Sequence, residues 1–80
     1  MSVSDPMPSI IVEPRPDGMW ARQKVGTLKP ASLHPTLADA ERVAVAQARR
    51  EHAELIVKGS DGEVLRRDVF PRRRNPGFNS

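Results

Sequence analysis

The sequence predicts an α+β domain of ββαββ order, two β-hairpins flanking a single helix that packs on one face of the sheet, with disordered termini. Three observations carry this. The Asp17-Gly18 and Asp61-Gly62 pairs each lie between strand-like segments, and Asp-Gly is a strong hairpin signal because Gly takes φ > 0 without a steric cost. Leu37, Ala40, Ala44 and Ala48 recur at helical spacing and mark one face of an amphipathic helix. Thr36, followed three residues later by Asp39, approximates a capping box at that helix's start.

Each element follows in order. Residues 9–13 (SIIVE) are rich in β-branched residues and read as the first strand. Pro14 to Gly18 supply a turn, and residues 19–25 (MWARQKV) the return strand. In that strand Met19, Ala21, Gln23 and Val25 point one way and Trp20, Arg22 and Lys24 the other. Alternation alone leaves its buried face undecided. Gly26, Pro30 and Pro35 make residues 26–35 a loop. The helix spans about 37–52, with Val43 flanking its alanine stripe. Arg49, Arg50 and His52 suit the negative end of its dipole. Residues 53–58 and 63–70 form the second hairpin around Gly59-Ser60-Asp61-Gly62. Pro71 ends the last strand by removing a donor and fixing φ.

Eighty residues hold one domain at most. The expected organisation is a disordered N-terminus over 1–8, the domain over 9–70 and a flexible basic tail over 71–80. With 38% hydrophobic residues, one Trp and two Phe, the core is thinly supplied. One helix covers one sheet face, so the other is solvated or buried by a second copy, and a homodimer is expected on that ground. The absence of Cys excludes disulfides, thiolate metal sites and thiol nucleophiles. The first eight residues lack a basic and apolar leader, and the longest aliphatic run is Ile10-Ile11-Val12. The expectation is therefore a cytoplasmic protein with no membrane span.

No enzyme motif stands out. His34 and His52 lie on opposite sides of the helical segment, without a ligand partner at i, i+4. No nucleophile elbow or glycine-rich phosphate cradle is present. We expect no metal, no cofactor, no small-molecule substrate and no catalysis.

The charge pattern leaves one chemical option. Net charge is +3. Between Arg66 and Arg74 five arginines accompany one acid, Asp68, while the rest of the chain carries eight basic and nine acidic residues. The basic character belongs to the C-terminal end. Arg66, Arg67, Arg72, Arg73 and Arg74 are candidates for phosphate contacts. Arg22, Lys24 and Lys58 would extend a basic sheet surface, with Trp20 as a stacking platform or, more simply, a core residue. The competing class is a protein-interaction or homodimerisation module whose arginines only solubilise it. The apolar residues Val12, Met19, Leu65 and Val69 are its candidate surface.

From Ile10 to about Pro76 the chain resembles the bacterial family catalogued as domain of unknown function 2188. The resemblance rests on Trp20-Ala21 directly after Asp17-Gly18, and on Thr36 followed by Ala40, Ala44 and Ala48. Its most specific part is Ala53-Glu54-Leu55-Ile56-Val57 running into Gly59-Ser60-Asp61-Gly62. It implies a compact ββαββ domain in a bacterial cytosol, and no activity or site residues. Glu41 and Gln47 stand where the family often has apolar helix residues, His52 where Gly often closes the helix, and Phe70 where Tyr is frequent. The Arg72-Arg73-Arg74 run is not part of the family pattern.

Overall fold

The computed structural model describes residues 7–71. The disorder expected for residues 1–6 and the basic tail at 72–80 lie outside the described residues. Pro8, expected in the disordered N-terminus, is instead tied to the sheet, its carbonyl accepting the Glu54 N–H at 2.8 Å.

The elements are β1 (Ser9–Pro14), β2 (Trp20–Lys24), β3 (Ser32–His34), α1 (Leu37–Glu51), β4 (Glu54–Lys58) and β5 (Val64–Val69). The class is α+β as expected, with one strand more than the ββαββ reading. The five strands form one sheet of order β3-β2-β1-β4-β5. Its centre is the parallel β1–β4 pair, with antiparallel pairs outside it. The two hairpins thus join through their first strands.

Both Asp-Gly turns close as expected, but as three-residue loops. Arg15 accepts the Gly18 N–H and donates to Met19, while Gly59 accepts the Gly62 N–H and donates to Glu63. Gly18 and Gly62 have φ of 88° and 86°, the left-handed step that follows a type I turn in such loops. Each aspartate caps its own turn, Asp17 accepting from the Met19 N–H and Asp61 from the Glu63 N–H.

The extra strand, β3, lies within the segment expected to be a loop. It pairs Leu33 with Ala21 and His34 with Trp20. Three residues between Pro30 and Pro35 show no alternation to read. Prolines tolerate only a short strand at a sheet edge, and β3 is one.

Thr36 caps α1, its hydroxyl accepting the Asp39 N–H at 3.1 Å. His52 closes the helix in the left-handed region at φ 55°. Ala40, Ala44 and Ala48 are fully buried against Ile10, Val12, Leu55 and Val57, because small side chains let the helix sit close to the sheet. Leu37, Trp20, Val45 and Phe70 pack at the margin of this core. Val45 thus joins the core, and Val43, expected to flank the alanine stripe, is half-buried beside it. Among the described residues no helix is long and apolar enough to cross a membrane.

Candidate functional site

Strand alternation decides where each basic side chain goes. Ile10, Val12, Leu55 and Val57 face α1, so their lateral neighbours Lys24, Arg22, Asp68 and Arg66 share that side. Arg67 pairs laterally with Ile56 and lies on the opposite face, as does Lys58. The cations proposed for one basic sheet surface are thus divided between two faces.

Most are also engaged within the chain. Arg22 donates to Ser32 Oγ at 2.9 Å and to the Gln47 amide of α1. Lys24 lies 3.1 Å from Glu51 Oε1 at the end of α1, within ion-pair range although without hydrogen-bond alignment. Arg66 bridges Asp68 at 2.5 Å and Glu41 of α1 at 3.2 Å. Arg67 is held by Glu54, which also accepts from Ser9. Lys58 makes no ion pair among the described residues. Trp20 is half-buried against the core.

The polar helix residues Glu41 and Gln47 hold these contacts. Glu41 ties α1 to β5, and Gln47 ties it to β2. Asp68 first, then Glu41, raise the Arg66 guanidinium above its ordinary value. Gln47, donating to Glu51 Oε2 at 3.0 Å, and then Lys24 lower the Glu51 carboxyl.

The helix lies over β1, β2, β3 and β4 and reaches β5 through the Glu41–Arg66 pair. An open groove of about 560 Å³ remains along that flank. Its floor is Ala38, Val45 and Ala46, and its rim carries Arg42, Arg49 and Arg66, with Glu41 as the one acid. Arg42 leans on Asp39 at 3.5 Å. The Arg49 guanidinium sits 5.7 Å from the Phe70 ring centroid, in cation–π range. Phe70 is two residues before Arg72 in the sequence. The C-terminal arginines themselves lie outside the described residues.

Arg42 and Arg49 were not singled out from the sequence, where Arg49 read only as a dipole partner. The available signal was their spacing. Residues 42, 45, 46 and 49 fall on one helix face, which mixes cations with small apolar residues. A second hollow, about 340 Å³, lies at the turn end of the sheet among Pro14, Trp20, Gly59, Ser60, Asp61, Glu63 and Leu65. Its ionisable residues are both acids, so it does not extend the basic flank. Among the described residues no three His, Asp or Glu side chains cluster in a metal-binding arrangement. His34 Nε2 instead lies 2.7 Å from Ser32 Oγ.

These features define a small α+β domain with one helix, one open sheet face and a basic groove on its flank. Residues 10–70 match the family described as "Uncharacterized protein conserved in bacteria (DUF2188)", and the chain belongs to that family. No curated protein and no solved structure matches it.

Proposed function

We propose that this is a non-enzymatic accessory domain that attaches electrostatically to nucleic acid along the α1–β5 flank. The groove rimmed by Arg42, Arg49 and Arg66 is the observation that supports this reading. Arg72, Arg73 and Arg74 follow β5 in the sequence and extend the same positive run. Arg66 keeps two carboxylate neighbours, so its contribution is positional. Arg42, Arg49 and the three C-terminal arginines supply the charge. Guanidinium groups suit phosphate oxygens, and contacts of this kind carry little sequence preference. Arg67, Lys58 and Trp20, placed off the flank, are not needed.

The test is anisotropy of a labelled short duplex titrated with the full chain at several salt concentrations. Five phosphate contacts predict a log–log salt slope of about −4.5. The R42E/R49E double variant should bind about tenfold more weakly or worse, with a shallower slope. Absence of binding at low salt would overturn the reading. Unchanged binding by R42E/R49E would leave the C-terminal arginines acting without the groove.

The second reading, a protein-interaction or homodimerisation module with a solubilising arginine end, draws on a different surface. Of the apolar residues expected there, Val12 is instead buried under α1, whereas Val69, together with Val25, Leu33 and Val64, is roughly half exposed on the sheet face that α1 does not cover.

A further inference from the structure

The uncovered sheet face has a pattern that matches its own image. Its four longer strands present three lateral rows. In the first, Ala21, Glu13, Lys58 and Val64 run across β2, β1, β4 and β5, with Glu13 and Lys58 one step beyond the Val12–Val57 pair. In the second, Gln23, Ile11, Ile56 and Arg67 run in the same order. In the third, Val25 donates to the Ser9 carbonyl at 2.9 Å, and Ser9 neighbours Glu54, which neighbours Val69.

A two-fold axis laid along the gap between β1 and β4, midway between two facing sheets, places each row on its own reverse. Ile11 then meets Ile56 of the second copy. Glu13 meets Lys58, and Gln23 meets Arg67. Val25 meets Val69, and Ser9 lies opposite Glu54, while Ala21, opposite Val64, is already buried within its own chain. Apolar side chains thus oppose apolar ones, and the Glu13 carboxylate opposes the Lys58 ammonium, while Glu54 keeps its own donors, Ser9 and Arg67. The two acids and two bases of these rows cancel, so this face carries no net charge although the chain carries +3. Glu13 and Lys58 make no ion pair within the chain among the described residues.

We infer that this face is a homodimer interface, two sheets packed face to face about an axis parallel to β1 and β4. Such sheets lie about 10 Å apart and turn by about 30°. Correspondence is therefore best near the axis, at Ile11–Ile56 and Glu13–Lys58, and looser at β2 and β5. The axis keeps strand direction, so both helices and both basic flanks face outward and the two C-terminal ends share one end of the dimer. The inference does not depend on nucleic-acid binding and uses none of the groove residues.

Sedimentation equilibrium of the full chain without nucleic acid tests it. The wild type is expected at twice the chain mass. E13K and K58E each place like charges opposite one another at two symmetric contacts, and each should weaken association about tenfold or more. The E13K/K58E double variant should recover most of the loss. Both positions are polar and outside the core, and circular dichroism checks that the variants fold. A monomer at concentrations up to about 1 mM, a millimolar dimer being the weak limit of specific association, would overturn the inference. So would a dimer indifferent to both single reversals, or one that the double reversal fails to restore.

Discussion

Glu51 shows how a single side chain is set by its neighbours. It ends α1, where the helix dipole disfavours an anion by about 0.3–1 kcal/mol. Gln47 and Lys24 reverse that preference, and the carboxyl falls below its ordinary value of 4.5. A group whose folded value is depressed contributes stability above its unfolded value and loses it as pH falls through the folded one. The pair should therefore stabilise the fold at neutral pH and lose that contribution progressively below about pH 5. In thermal melts between pH 6 and pH 3, E51Q should show a shallower acid-side loss of Tm than the wild type. Its change at pH 7 should stay within about 1 kcal/mol, as for other partly exposed ion pairs. Equal acid slopes in the two proteins would remove Glu51 from the account. The Thr36 cap was legible in the sequence because its partner lies three residues away. The Lys24–Glu51, Arg66–Glu41 and Arg67–Glu54 pairs were not, because sheet register and helix placement decide them.

Local elements were legible where a period or a turn residue marks them. Both hairpins and the helix ends fall within a residue or two of expectation. The strand β3 was hidden because three residues between prolines carry no period. Arg66 and Arg67 read as one basic patch along the sequence, yet neighbours in a strand face opposite ways, and the structure separates them. The helix terminus also offers a test. His52 adopts φ 55° at the C-terminal cap, a conformation that Gly takes without Cβ crowding. H52G should therefore stabilise the domain by about 0.5–1 kcal/mol. For a domain of this size that is roughly 2–8 °C in Tm. A lowered Tm would show that the imidazole makes a contribution exceeding its backbone strain.

At the scale of the whole molecule, stability and association are linked through the sheet. The sequence showed two hairpins and one helix but not that β1 and β4 join them in parallel, since that contact spans 45 residues between Ser9 and Glu54 and leaves no local mark. Among the described residues the largest fully buried side chains of the resulting core are Ile10, Val12, Leu55 and Val57, all on the helix side. The expected stability of an 80-residue chain is about 4–12 kcal/mol, so covering the second face would add a substantial fraction. If folding and dimerisation are one transition, each tenfold rise in protein concentration adds about 1.4 kcal/mol per dimer, or about 0.7 kcal/mol per chain. That corresponds to a Tm increase of roughly 3–6 °C. E13K, melted across the same concentrations, should lose most of this dependence because it weakens association while leaving the helix-side core intact. A wild-type Tm constant over a hundredfold range would mean that the helix-side core and the helix suffice alone. The apolar rows around Ile11 and Ile56 would then be stable facing water.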